Sequence, residues 1–100
     1  TRVIDIVHEL NEFGIEPLIH DPVADQEEGL DEYGLEFNSI DEMKELDAII
    51  IAVNHDEFKD YSLETWESFF RNGKEKVLID VKGVLNRQEV EAKAFKYWRL

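Results

Sequence analysis

Six consecutive apolar residues, Ala48-Ile-Ile-Ile-Ala-Val53, constrain this chain more than any other feature. A strand with one face in water alternates apolar and polar residues. A strand that is apolar on both faces needs cover on both, and a parallel sheet flanked by helices supplies it. Lys76-Val-Leu-Ile-Asp80 is a second run of this kind. The first run falls far short of the roughly 20 residues that span a bilayer, so it reads as core.

The segments around these runs carry helical and turn signals. Val3, Ile6, Val7, Leu10 and Phe13 recur at spacings of three and four, which predicts a helix over Thr1–Phe13 with Gly14 as its left-handed cap. Ile15–His20 reads as a short strand closed by Asp21-Pro22; Pro17 cannot donate to a ladder, so this strand starts late or lies at an edge. Asp25–Tyr33 reads as a weak acidic helix ending at Gly34, followed by a brief strand at Leu35–Phe37. Ser39 and Glu42 have capping-box spacing, and Ile40, Met43 and Leu46 give that short helix an apolar face. After a polar stretch, Leu63–Arg71 is predicted helical, with Trp66, Phe69 and Phe70 turned to the core. Gln88–Lys96 is predicted helical as well, and the chain closes on Tyr97-Trp-Arg-Leu100.

Helices alternating with strands at these lengths predict an α/β fold, a Rossmann-like doubly wound parallel sheet with helices on both faces. The 100 residues show no repeat or linker, so residues 1–100 are expected to form a single domain. The sequence opens inside a helix without Met, whereas the first strand of this fold sits mid-sheet. The expectation is a sheet lacking its first strand at the amino terminus.

Composition narrows the function classes. Hydrophobic residues at 43% are enough for a core, which argues against a disordered chain. With no cysteine, a disulfide framework, a Cys-based zinc site and a thiol nucleophile are excluded within these residues. Eleven Lys and Arg against 24 Asp and Glu give a formal charge of −13, which repels nucleic acid and most other polyanions. An anionic small ligand can bind only where local cations or backbone N–H groups overcome that field. No signal peptide or membrane segment is visible, so the expected setting is cytoplasmic, with no membrane partner.

In open parallel sheets, ligands bind beyond the carboxyl ends of the strands. The residues predicted there are Asp21, Asn38, Asn54-His55-Asp56 and Asp80-Val-Lys82. Asp21 stands where a dinucleotide fold holds a ribose, yet Asp-Pro is also an ordinary turn starter. His55 can work near neutral pH or donate to a phosphate, yet a polar loop after a strand needs no ligand. Lys82, with Gly83 beside it and facing the amino end of the first helix, suits a diphosphate; it also suits a surface turn. His8 and His20 join no constellation, so no metal site is expected, and no catalytic arrangement is present. On the residues alone, an α/β ligand-binding domain is the reading. A truncated NAD(P)-binding half with Asp21 on the ribose and a non-enzymatic acidic interaction domain stay open beside it.

Several segments taken together are more specific. Thr1-Arg-Val-Ile-Asp-Ile-Val7, His20-Asp-Pro22, Tyr33-Gly34, Asp47–Val53 with His55 and Phe58, Asp80-Val-Lys-Gly-Val-Leu85 and the closing Tyr97-Trp-Arg-Leu100 follow one another in a familiar order. In that order the chain resembles the carboxy-terminal domain of the UDP-glucose/GDP-mannose dehydrogenase family. The last two segments look most like the bacterial and archaeal branch that oxidises UDP-N-acetylhexosamines.

The resemblance implies a larger enzyme. An amino-terminal Rossmann domain would bind NAD, and a central helical region would form a homodimer or higher oligomer. This domain would hold the UDP moiety of a UDP-sugar. The sugar 6-hydroxyl would become a carboxylate in two hydride transfers through a thiohemiacetal on a cysteine of another domain, and the uronic product would feed capsule or other polysaccharide synthesis. Lys82 matches the position where the family places a Lys or Arg toward the UDP part, with Asn54 and His55 as neighbouring contacts. The family's other basic contact, in a Phe-Lys motif after the first strand, has no counterpart in these residues.

Overall fold

The structure is a computed structural model that describes residues 2–22 and 34–100. They fall into two compact units, Thr1–Met43 and Lys44–Leu100. The first unit opens with helix α1, Arg2–Glu12, on the predicted apolar stripe, and Val7 of that stripe is buried. Gly14, at φ 79°, ends it: Ile15 N–H donates to the Leu10 carbonyl at 3.0 Å and Gly14 N–H to that of Asn11 at 3.0 Å. This paired closure satisfies helix-end carbonyls and requires a left-handed residue at the position glycine occupies.

The strands expected at Ile15–His20 and Leu35–Phe37 do not form a ladder among the described residues. The two segments are extended and tied at one point. Asn38 N–H donates to the Ile19 carbonyl, and Ile19 N–H donates to the Asn38 side-chain oxygen at 2.9 Å. A side-chain amide thus stands in for the carbonyl that a strand partner would offer, and Pro17 has no N–H with which to extend the pairing. The short helix after Ser39 is a single 3-10 turn, Ile40–Glu42. Ser39 N–H donates to the Glu42 carboxylate at 2.9 Å, which holds that carboxyl below its ordinary range. The helix expected at Asp25–Tyr33 lies outside the described residues.

The second unit holds a three-stranded parallel sheet in the order β1-β2-β3. Strand β1, Ala48–Ile51, comes from the long apolar run. Helices α2, Asp56–Asp60, and α3, Leu63–Ser68, lead to β2, Lys76–Asp80; helix α4, Arg87–Ala92, leads to β3, Phe95–Arg99. Pairing runs from Ala48↔Val77 to Ile51↔Asp80 and from Lys76↔Phe95 to Asp80↔Arg99. The middle strand is β2, whose Leu78 and Asp80 are fully buried. Strand β1 stands at one edge of these three.

Each crossover has a local cause. Ser62 caps α3 by accepting from Thr65 N–H at 3.1 Å, and Asn86 caps α4 by accepting from Glu89 N–H at 3.0 Å. The polar stretch before Tyr61 contains α2, whose Phe58 packs edge-on to Trp66 with ring centroids 6.0 Å apart. Trp66 also meets Tyr61 at 5.4 Å and Phe69 at 5.7 Å, and Trp66, Phe69 and Phe70 are buried in the core, as predicted.

The helix predicted to reach Lys96 stops at Ala92. Ala94 is left-handed at φ 64°, and the chain then alternates: Phe95 and Tyr97 are buried, Lys96 and Trp98 exposed. Ala and Lys favour a helix locally, but strand pairing with β2 outweighs that preference.

Two outcomes are expected. Leu78→Ala at the centre of β2 should lower stability by about 2–5 kcal/mol in chemical denaturation, because it leaves a cavity in a closed core. Tyr61, pushed up from 10.0 to about 12 by burial and then by its bond to Glu57, is held neutral by the fold. Its contribution is complete below pH 10 and is lost as pH rises toward about 12, so Tyr61→Phe should flatten the fall of melting temperature across that window.

Candidate functional site

The carboxyl ends of β1 and β2 lie side by side, since Ile51 pairs with Asp80. Val81 N–H continues that pairing by donating to the Ile51 carbonyl at 3.0 Å. Beyond this point the chains part. After β1 come Asn54, exposed, and His55, half-buried and preceding α2, with its ring 5.7 Å from that of Phe58. After β2 come Lys82, exposed, and Gly83 at φ 67°. Asn54, His55 and Lys82 are therefore brought to one end of one sheet. Lys82 makes no ion pair or hydrogen bond with a described residue.

Asp80 has a different role from its sequence neighbours. Its carboxylate is fully buried and accepts from Val84 N–H at 2.8 Å, from Leu85 N–H at 2.9 Å and from the Tyr97 hydroxyl. Tyr97 in turn accepts from Arg99 Nε at 2.9 Å, and Arg99 Nη2 donates to the Leu85 carbonyl. Burial, reinforced by the Asp80 carboxylate, pushes the Tyr97 hydroxyl up and keeps it a donor; Arg99 works in the opposite direction. The bond to Tyr97 raises Arg99 further above its ordinary range. A cation, a neutral hydroxyl and an anion are linked in series, and the loop after β2 hangs from them.

Reading the sequence grouped Asp80 with the ligand-facing residues and passed over Tyr97 and Arg99. The signal that could have found them is a polar, aromatic and basic ending opposite an acid at a buried strand's end. A second signal was charge segregation: residues 71–100 hold eight of the 11 Lys and Arg but four of the 24 acids. The cations of this strongly acidic chain are therefore concentrated in its last segment, and Lys82 belongs to it.

In the first unit, Asn38 is engaged structurally. Its oxygen accepts from Ile19 N–H, its amide donates to Glu42 at 3.1 Å, and its carbonyl lies 2.9 Å from His20 Nδ1. Asp21 is half-buried beside Pro22 in that unit. A cleft there, of about 430 Å³, is lined by Val7, Pro17, Leu18 and Leu35 with Glu16 and Glu36, an acidic rim unsuited to a phosphate. Among the described residues no group of three or more His, Asp or Glu could hold a metal. No described helix is long and apolar enough to cross a membrane.

Three parallel strands joined through helices make the second unit an α/β domain. Residues 1–87 match the UDP-glucose/GDP-mannose dehydrogenase family, UDP binding domain, and the chain belongs to that family. It is 39% identical over 94 residues to the UDP-N-acetyl-D-glucosamine 6-dehydrogenase of Salmonella typhi, covering 93% of this chain and 21% of that protein. It is 33% identical over 101 residues to Protein CapL of Staphylococcus aureus, covering 100% of this chain and 23% of that protein. With the UDP-N-acetyl-D-mannosamine dehydrogenase of Methanocaldococcus jannaschii it shares 36% identity over 75 residues, covering 70% of this chain and 18% of that protein. The chain thus spans about a fifth of the length of these curated relatives. No solved structure matches it.

Removing the anchor should be costly. Asp80→Ala leaves three donors facing an apolar space and should lower stability by about 3–5 kcal/mol. Asp80→Asn keeps one acceptor but turns an amide N–H₂ toward a donor, so it should fall between wild type and Asp80→Ala. Denaturation midpoints of the three proteins check that order.

Proposed function

We propose that residues 1–100 form the UDP-binding domain of an NAD-dependent UDP-sugar 6-dehydrogenase. The observation that carries the reading is Lys82, an unpaired cation on an anchored loop at the sheet's carboxyl end, in a chain of the family whose UDP binding domain it matches. Lys82 is assigned to the diphosphate, with Asn54 and His55 on the adjoining loop as further polar contacts. Relatives named UDP-N-acetyl-D-glucosamine 6-dehydrogenase favour a UDP-N-acetylhexosamine as substrate, and the same reading sends the uronic product to polysaccharide synthesis.

The domain's part in catalysis is positional. The UDP handle lies far from the carbon being oxidised, and energy from holding it fixes the sugar where hydride transfer occurs. NAD supplies the hydride acceptor. These residues do not fit it, because the five glycines stand singly and no G-x-G-x-x-G cradle is present. The reading assigns NAD and the catalytic cysteine to other domains of a cytoplasmic homo-oligomer.

Calorimetry on the full-length protein tests the reading, with UDP as ligand and NADH as comparator. Lys82→Ala is expected to weaken UDP by about 10- to 150-fold, the equivalent of roughly 1.5–3 kcal/mol, and to leave NADH affinity unchanged. UDP affinity equal to wild type would remove Lys82 from the site.

A further inference from the structure

The loop that carries Lys82 is held in an unusual way. Backbone pairing between β1 and β2 ends at Val81, yet Val84 and Leu85 N–H groups are both satisfied, by the side chain of Asp80. Leu85 is held twice, because its carbonyl accepts from Arg99. Gly83, left-handed at φ 67°, turns the chain beside the Arg99 guanidinium, where a Cβ would make only an ordinary contact at 3.6 Å. The clamp thus holds Val84 and Leu85 by hydrogen bonds, and Lys82, two residues before them, is exposed. A charged network built on a buried acid, here Asp80 with the exposed Arg99, is weak evidence for stability as such, since apolar packing can do as well. What it provides beyond apolar packing is a directional arrangement, because each bond fixes an atom's position as well as its burial.

We infer that Tyr97 and Arg99, acting through Asp80 and the loop backbone, are positioning residues that set where Lys82 meets the diphosphate. The inference rests on the proposed assignment of Lys82. Lysine is a point charge on a flexible four-carbon stem, so its contribution depends on where its backbone is fixed. The Tyr97 hydroxyl is the link at which the relay can be cut most gently. Tyr97→Phe keeps the ring, over which Arg87 and Arg99 lie at 5.5 and 5.8 Å, and removes the hydroxyl's bonds to Asp80 and Arg99 together with its long 3.4 Å bond to the Leu85 carbonyl.

The test is a double-mutant cycle on the full-length protein, with UDP affinity measured by calorimetry for wild type, Lys82→Ala, Tyr97→Phe and the double variant. Tyr97→Phe is expected to weaken UDP about five- to tenfold. In the Lys82→Ala background the same change should alter affinity less than about twofold, because the side chain it positions is gone. A purely structural tyrosine would not produce that coupling. Arg99→Leu, which cuts the relay from its other end, should give the same pattern and replaces Tyr97→Phe if that variant does not fold. Wild-type affinity in Tyr97→Phe and Arg99→Leu, or an equal loss with and without Lys82, overturns the inference while leaving the Lys82 assignment intact. Wild-type affinity in Lys82→Ala overturns both.

Discussion

The fully buried Asp80 carboxylate is the constraint on which the binding end of this sheet depends. A buried anion is tolerated only when it is paired and hydrogen-bonded, and here the donors come from two places. The backbone of the following loop provides two, and the last strand provides the third. Satisfying one charge therefore fixes the loop after β2 and the position of β3 together. The rest of the second unit serves this arrangement. Leu78 and Val90 close the core beneath it, and the Phe58–Trp66–Phe69 cluster holds the β1-to-β2 crossover.

That architecture suits a domain that binds without reacting. Charge opposes any anion over most of the chain, and relief is confined to its last third, where cations outnumber acids two to one. On the proposed reading, Lys82 on its anchored loop would turn that attraction into a defined pose for a diphosphate, and a defined pose would let remote binding energy reach the reacting end of a sugar.

Much of the fold was legible in the sequence, for reasons that differ by element. Ala48–Val53 announced a parallel sheet because no other common environment accepts a strand apolar on both faces. Helix α1 and its Gly14 cap were legible from spacing alone. Phe95 and Lys96, which begin β3, read from sequence as the tail of a helix, because four residues of alternation are a weak signal beside helix-favouring Ala92, Lys93 and Ala94. Ile15–His20 and Leu35–Phe37 read as strands in the sequence because a side chain that imitates a strand partner, here that of Asn38, leaves no trace in hydropathy. At the site, position was readable and role was not: Lys82 and Asp80 sit two residues apart, one exposed and one buried, and only the turn's geometry separates them.

The most direct test of the account is amide hydrogen exchange on the full-length protein with and without saturating UDP. Slowed exchange at residues 53–56 and 81–85, with none at those residues on adding NADH, is the predicted result. UDP binding that leaves both loops unprotected, or NADH protecting them in its place, would contradict it.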